Sequence, residues 1–106
     1  MEINRKKLMY AILREANNNS DIVYSATTFE VDELVYTQTL LILKEEEMLM
    51  GIMTKQSDNT VGAFIMGKTK PRITLSGLDF LEENNEWSKL YKGLKEIRDW
   101  IPFIGK

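Results

Sequence analysis

The sequence predicts an α+β fold in which helices surround a small antiparallel β hairpin. Apolar residues recur at helical spacing in four stretches, at residues 4–16, 32–47, 75–84 and 87–101. Two runs rich in strand formers, 49–54 and 61–66, flank a polar turn at 55–59. A third observation is the segment from Ile73 to Leu81, which passes from an extended residue directly into a helix.

The segment from Ile73 to Leu81 is the junction around which we arrange the rest of the chain. Thr74 is a suitable N-cap, because its hydroxyl can accept from the free N–H groups of the first helical turn. Gly77 lets the new helix pack closely on a neighbour, and Leu78 with Leu81 forms an apolar stripe. We therefore expect a helix, a helical hairpin and a two-stranded wing before this junction and a clamping helix after it.

The N-terminal third predicts one clear helix followed by a less regular segment. The helix begins at Asn4, a strong N-cap flanked by a hydrophobic staple. Its apolar face consists of Leu8, Met9, Ile12, Leu13 and Ala16. In residues 21–31, we expect a short strand or bridge at Ile22 and Val23, and one helical turn with Phe29 buried.

A long helix is predicted from Asp32, its N-cap, to about Glu47. Its expected core face is Tyr36, Thr39, Leu40 and Leu43, and its expected outward face is Leu34, Thr37, Gln38, Leu41, Lys44 and Glu45. No glycine follows this helix, and a left-handed residue other than glycine costs about 1 kcal/mol or more at such a position. We therefore expect the helix to end differently or to continue to Met48.

The C-terminal quarter carries the clearest amphipathic pattern of the chain. Apolar residues recur there at spacings of three and four: Trp87, Leu90, Tyr91, Leu94, Ile97 and Ile101. This pattern predicts one helix that packs across the first helix, which makes five helices in total. Because no linker or repeat is visible, residues 1–106 are predicted to form a single domain.

Composition argues against several functional classes. The chain of 106 residues has no cysteine and no histidine, which removes thiol chemistry and the commonest general base and transition-metal ligand. We therefore expect no enzyme activity, no catalytic residues, no metal site, no cofactor and no small-molecule substrate.

No apolar run approaches the roughly 18 residues that span a bilayer, and no secretion signal is visible. We therefore expect a cytoplasmic protein without a membrane partner.

The order of helix, turn, helix, hairpin and then "ITLSGLDFL" resembles winged-helix domains. The stretch from Leu81 to Ile101, together with Lys7-Leu8-Met9-Tyr10-Ala11-Ile12-Leu13, is similar to the YjcQ family of small winged-helix proteins from Gram-positive bacteria and their phages. The resemblance implies one winged-helix domain over residues 1–106, a cytoplasmic setting and a prophage as one origin. It implies no particular activity.

The first functional hypothesis is a small regulator that binds double-stranded DNA. Thr37 and Gln38 are suitable base readers on the long helix, and Lys44 lies at its end. The hairpin and its loops supply candidate phosphate contacts at Lys55, Lys68, Lys70 and Arg72. Residues 55–72 carry a net charge of +3, whereas residues 30–47 carry −5, which opposes DNA binding by the helix itself.

The alternative hypothesis is a protein interaction module without DNA binding. Leu34 and Leu41 lie seven residues apart on the face expected to be exposed, which suggests a partner surface or a weak homodimer about a twofold axis. Dimerisation through this face would exclude DNA. A third interpretation is that both leucines belong to the core.

Two further clusters have a structural and a functional interpretation. Trp87, Tyr91 and Trp100 are either core residues or a platform on which bases stack. Asp79 and Glu82, with the neighbouring Glu83, are either an acidic helix end or ligands of a hard cation. The helical spacing of the aromatic residues and the loose spacing of the carboxylates favour the structural interpretation in both cases.

Overall fold

The structure, a computed structural model, describes residues 2–3, 5–19, 21–52, 54–56, 63–65, 70–100 and 103–104. Its architecture is α+β, as predicted, with helices beside small antiparallel sheets. The helices are α1 (Arg5–Asn18), α2 (Glu33–Glu45), α3 (Leu75–Glu83) and α4 (Ile97–Trp100). The strands are β1 (Glu2–Ile3), β2 (Leu49–Met50), β3 (Thr54–Gln56), β4 (Ala63–Ile65), β5 (Arg72–Ile73) and β6 (Phe103–Ile104). The antiparallel pairs are β1 with β6, β2 with β5 and β3 with β4.

Helix α1 runs through the centre of the described core. Its buried residues are Leu8, Tyr10, Ala11, Ile12, Leu13 and Ala16. This set adds Tyr10 and Ala11 to the predicted face, whereas Met9, which was predicted to lie on that face, is half-buried. The reason is that α1 contacts α2, α3 and β5, so most of its circumference is covered.

The segment between α1 and α2 forms a bridge and a single 3₁₀ turn. The bridge lies at Tyr24, whereas Ile22 and Val23, where it was expected, are exposed. The Tyr24 hydroxyl bonds the carbonyls of Glu15 and Asn19 at 3.1 and 3.0 Å, which ties the segment to the end of α1. The 3₁₀ turn Ala26–Phe29 buries Phe29, as predicted.

The first residue and the buried face of helix α2 are those that the sequence predicted. The Asp32 carboxylate accepts from the Leu34 N–H at 3.0 Å and so caps the helix. The four residues of the predicted core face are all buried: Tyr36, Thr39, Leu40 and Leu43. The buried Thr39 hydroxyl donates to the Val35 carbonyl at 2.7 Å, so its burial leaves that donor satisfied.

The end of α2 resolves the problem of the missing glycine. Glu47 adopts a left-handed conformation with φ of 58°. Its N–H bonds the Lys44 carbonyl at 3.0 Å, and the Met48 N–H bonds the Leu43 carbonyl at 2.8 Å. These two bonds form a Schellman motif with a glutamate at the position that glycine usually occupies. The helix therefore stops at this turn, and the expected continuation to Met48 is wrong.

The predicted junction at Thr74 packs directly on the turn that ends α2. The Thr74 N–H bonds the Met48 carbonyl at 3.0 Å, and the Thr74 hydroxyl donates to the Glu47 carbonyl. The same hydroxyl oxygen accepts from the Gly77 N–H at 3.2 Å and so caps α3. A Cβ atom on Gly77 would lie 2.5 Å from the Met48 carbonyl oxygen. The prediction of an N-cap threonine and a close-packed glycine is confirmed.

The first predicted strand, 49–54, is interrupted at Gly51. Strand β2 pairs Leu49 with Ile73 and Met50 with Arg72. Gly51 has φ of 84°, and a Cβ atom there would lie 2.9 Å from the Lys70 carbonyl oxygen. The chain then enters β3, whose partner is β4. Residues 57–59 of the predicted turn lie outside the described residues.

The C-terminal segment is not the continuous helix that its pattern predicted. It forms a 3₁₀ turn at Asn85–Lys89, irregular backbone at 91–93, a second 3₁₀ turn at Leu94–Glu96 and then α4. Gly93 interrupts the helical path with φ of 93°, a conformation that is easy for glycine. Leu90, expected to be buried, is 62% exposed. The apolar residues of this segment therefore reach the core from several short pieces.

Aromatic packing holds the C-terminal segment on α1. The Tyr10 ring lies 5.5, 6.0 and 5.7 Å from those of Trp87, Tyr91 and Trp100. The Trp100 indole N–H donates to the Lys7 carbonyl at 2.8 Å. Tyr91 and Trp100 are buried and Trp87 is half-buried, so these rings belong to the core, which leaves no open platform for base stacking.

We predict that Gly77→Ala destabilises the fold, because the new methyl group would meet the Met48 carbonyl oxygen and Ile73 Cγ1, each at 2.5 Å. The free energy of unfolding, measured by urea denaturation, should fall by about 1–3 kcal/mol, as overpacking usually costs. Ser76→Ala, at the exposed neighbouring position, is the control and should change it by less than about 0.5 kcal/mol. Equal effects of the two changes would contradict the close approach.

We predict an alkaline loss of stability that depends on Tyr91. Burial raises the pKa of the Tyr91 hydroxyl above its usual value of 10.0, and its hydrogen bond to Glu15 raises the pKa further. The folded chain therefore holds this proton more tightly than the unfolded chain. The contribution of this proton to the free energy of unfolding is fully present below about pH 10. It is lost as the pH rises towards the pKa of Tyr91 in the folded state.

The measurement is the urea-derived free energy of unfolding between about pH 8 and pH 11. In Tyr91→Phe, the value at about pH 8 should be lower by roughly 0.5–1.5 kcal/mol, because a hydrogen bond is lost. Its decline at higher pH should be shallower than in the wild type. Parallel declines in the two proteins would show that Tyr91 does not contribute.

Candidate nucleic-acid interface

The outward face of α2 carries the residues that the sequence assigned to base reading. Gln38 is exposed and Thr37 is half-buried. The Gln38 side-chain oxygen accepts from an Arg5 guanidinium N–H at 3.4 Å, so this side chain is tied to α1. Reading a base through Gln38 would require this long hydrogen bond to open.

Three exposed basic residues lie around the end of α2 and strand β5. Lys44 and Met50 line a groove of about 350 Å³ between α2, β2 and the start of α3. Arg72 is the strand partner of Met50, and the Lys70 carbonyl lies against Gly51. Lys44, Lys70 and Arg72 are all exposed. The fold therefore brings Lys44 and Arg72 to the two sides of Met50, and the exposed Lys70 lies two residues before Arg72 in the chain.

The other two predicted phosphate contacts are not placed. The backbone of Lys55 lies in β3, opposite Phe64, but its side chain is outside what the structure describes. Lys68 lies outside the described residues altogether. The contribution of both residues to an interface stays a prediction.

Acidic residues flank the basic ones at both ends of α2. Glu45, the last residue of α2, and the following Glu46 and Glu47 are exposed, and Glu47 lines the same groove as Lys44. Asp32 and Glu33 are exposed at the beginning of the helix. Because carboxylates repel phosphates, both ends of α2 oppose close approach to DNA, and only its end has exposed cations beside the carboxylates.

Exposed apolar side chains form the remaining part of this surface. Leu34 is 63% exposed, as the interface hypothesis required, whereas Leu41 is half-buried. Met50 and Leu75, which are 50% and 78% exposed, were not identified as surface residues from the sequence. Leu78 is also exposed, so the predicted Leu78–Leu81 core stripe is wrong for Leu78, and Gly77 and Phe80 are the buried residues of α3.

Two spacing rules explain the exposure of Met50 and Leu75 once the burial of one neighbour of each is known. Strand neighbours point to opposite sides, so the burial of Leu49 requires Met50 to point outward. Leu75 is the first residue of α3, directly after the N-cap. It lies at a position three residues before Leu78 and therefore shares the exposed side of α3 with that residue.

Two other kinds of site are absent from the part of the chain that the structure describes. No group of three or more carboxylate side chains is arranged to hold a metal ion among the residues that the structure describes. Within the same residues, no helix combines the length and the hydropathy needed to cross a bilayer.

These features define a small α+β protein whose second helix buries one face and presents the other beside short antiparallel sheets. The YjcQ protein family matches residues 5–100. A curated Bacillus subtilis (strain 168) protein, named "Uncharacterized protein YjcQ", is 35% identical over 99 residues, which cover 93% of this chain and 99% of that protein. The chain therefore belongs to the YjcQ family. No solved structure gives a significant match.

Proposed function

We propose that the chain is a cytoplasmic winged-helix regulator that binds double-stranded DNA. The order of elements supports this proposal: α1, the bridge at Tyr24, the 3₁₀ turn, α2 and then the paired strands β2 to β5. In a winged helix, the helix that precedes the hairpin is the one that approaches the major groove. Helix α2 occupies this place in the order and has an exposed outward face.

The observation that carries the proposal is the position of two exposed cations relative to Met50: Lys44 lines the same groove as Met50, and Arg72 is its strand partner. Contacts to phosphates supply most of the sequence-independent affinity of DNA-binding proteins. Cations placed in this way can neutralise neighbouring phosphates of one duplex. Lys55 and Lys68 would extend this set along the hairpin.

The charge distribution determines how DNA would approach. The exposed Asp32 and Glu33 disfavour phosphates at the beginning of α2. We therefore propose that the end of α2 and strand β5 make the phosphate contacts. Thr37 and Gln38, in the middle of α2, would then be the residues that meet base edges.

A second candidate is a protein interaction module without DNA binding. The observation that favours this candidate is that Leu34 is 63% exposed and lies beside the exposed carboxylates of Asp32 and Glu33. Bound DNA would leave this apolar side chain in contact with water. Leu41, being half-buried, would contribute less to such an interface than Leu34.

We predict that the wild type binds a mixed-sequence duplex of about 30 base pairs at low salt, and that affinity falls steeply as salt is added. Fluorescence anisotropy measures the binding constant. Lys70→Glu/Arg72→Glu should weaken binding and should reduce the slope of log K against log salt by about 1.8, since roughly 0.9 is lost per phosphate contact.

The control is Lys89→Glu/Lys95→Glu, which changes the net charge equally at exposed positions of the C-terminal segment. This variant should retain the wild-type slope. Absence of any wild-type binding at about 50 mM salt would overturn DNA binding and leave the protein interaction module. Equal losses in both double variants would show that the effect is one of net charge alone.

A further inference from the structure

Helices α1 and α2 are linked at the surface by a hydrogen bond between two polar side chains. The Arg5 guanidinium donates to the Gln38 side-chain oxygen at 3.4 Å, and this bond is exposed. Arg5 is the first residue of α1 and is half-buried, whereas Gln38 lies in the middle of α2 and is exposed. Because Gln38 is proposed to meet base edges, a DNA base that reaches it would also meet Arg5.

The contact with Arg5 determines how the Gln38 amide is oriented. A guanidinium carries five N–H donors and no acceptor, so the amide oxygen is the atom that can accept from it. The opposite orientation would place the NH2 group of Gln38 against the donors of Arg5. The two side chains therefore form a unit with a positive charge, and the polar hydrogens that remain on it are N–H donors.

Burial restricts which part of Arg5 can reach a ligand. The Arg5 Nε is buried, and the part of the chain that the structure describes offers it no hydrogen-bond partner. One terminal nitrogen, Nη2, bonds Gln38. A base at this position would therefore be met by the terminal Nη groups of Arg5 beside the NH2 group of Gln38.

Arg5 also places positive charge between the two acidic ends of α2. The exposed Glu33 lies five residues before Gln38, and the exposed Glu45 lies seven residues after it. At 1.5 Å per residue, these positions are about 7.5 and 10.5 Å from Gln38 along the helix axis. Arg5 contacts Gln38 directly, and the exposed Lys6 follows Arg5 in α1. The middle of α2 therefore combines an exposed polar side chain with an adjacent cation.

We infer that Arg5 and Gln38 together read guanine in the major groove. Guanine presents two neighbouring acceptors there, N7 and O6, which match two neighbouring N–H donors. Adenine presents an acceptor beside its N6 amino group, and that amino group would face the Arg5 cation. Cytosine presents an amino donor and thymine a single acceptor beside a methyl group, so neither base matches two donors. The inference rests on the proposed DNA binding and names the base that this binding selects.

Guanine is also the base that the observed arrangement can read with the least change. Adenine read by Gln38 alone uses both the oxygen and the NH2 group of the amide, which requires the hydrogen bond to Arg5 to open. Guanine uses donors only, so this bond can stay closed. The bond is long at 3.4 Å, and a base that excludes water would strengthen it, because hydrogen bonds are stronger where the local dielectric is low.

The test selects bound duplexes from a random-sequence pool with the full wild-type chain and with variants, and it measures the selected sites by fluorescence anisotropy. Gln38→Ala identifies the position that Gln38 reads as the one at which the base preference is lost. At that position, the wild type should prefer guanine to adenine by roughly 5- to 100-fold, the discrimination of a two-bond base contact. This comparison leaves Arg5 unchanged, so it does not depend on the folding of an Arg5 variant.

Arg5→Met should change the preferred base at the same position from guanine to adenine, since the Gln38 amide is then released to bond adenine with both of its polar atoms. Lys6→Met is the matched control, because it removes an exposed positive charge from the neighbouring residue and leaves Arg5 and Gln38 in place. This control should keep the preference for guanine while overall affinity falls with the lost charge. Circular dichroism on each variant verifies that the helix content is unchanged.

The outcomes separate this inference from DNA binding itself. A wild type that binds no duplex overturns both. A wild type that binds but selects the same site as Gln38→Ala, or that prefers adenine at the position read by Gln38, overturns the inference and leaves DNA binding intact. An Arg5→Met variant that still prefers guanine does the same. Adenine preference in the wild type would show that Arg5 leaves Gln38 when DNA binds.

Discussion

The contact between the start of α3 and the turn that ends α2 is the constraint on which the rest of the structure depends. Thr74 bonds the carbonyls of both Glu47 and Met48, and Gly77 permits the approach that these bonds require. The contact holds the end of α2 against the beginning of α3, next to the pairing of β2 with β5. The groove that we propose as an interface lies directly beside it, so the position of that groove follows from this packing.

The same contact explains why a glutamate can occupy a left-handed position. The conformation of Glu47 costs about 1 kcal/mol relative to glycine. Its carbonyl, however, accepts from the Thr74 hydroxyl, and the neighbouring Met48 carbonyl accepts from the Thr74 N–H. These tertiary hydrogen bonds hold the turn in a conformation that the local sequence does not favour. A carboxylate is thereby placed at the edge of the groove, where it moderates the charge of the nearby lysine.

The electrostatics of α2 restrict where DNA could meet this helix. Exposed carboxylates lie at both of its ends, Asp32 and Glu33 at the beginning and Glu45, Glu46 and Glu47 at the end. Exposed cations accompany them only at the second end, where Lys44 lines the groove and Arg72 is the strand partner of Met50. DNA would therefore approach that end, and the exposed Leu34 at the beginning of α2 would be left to the protein partner of the second candidate function.

The sequence by itself determined the elements whose signals are local. The caps at Asp32 and Thr74, the core face of α2 and the small residue at Gly77 depend on hydrogen bonds and spacings within a few residues. The family resemblance was equally available from the sequence, and the matched residues 5–100 confirm it. The basic residues near β5 were also identified, although their proximity to Lys44 was not.

Tertiary structure decided what spacing alone could not. The pattern of Trp87 to Ile101 favours a helix, but contacts with Tyr10 and a left-handed Gly93 divide it into short pieces. Apolar periodicity indicates that a segment contributes to the core, but it does not show whether one helix or several short elements contribute the buried residues. The exposure of Leu75 likewise depends on how α3 packs against α1 and β5. The groove therefore became visible only once the elements were assembled, because it is formed by residues from three of them.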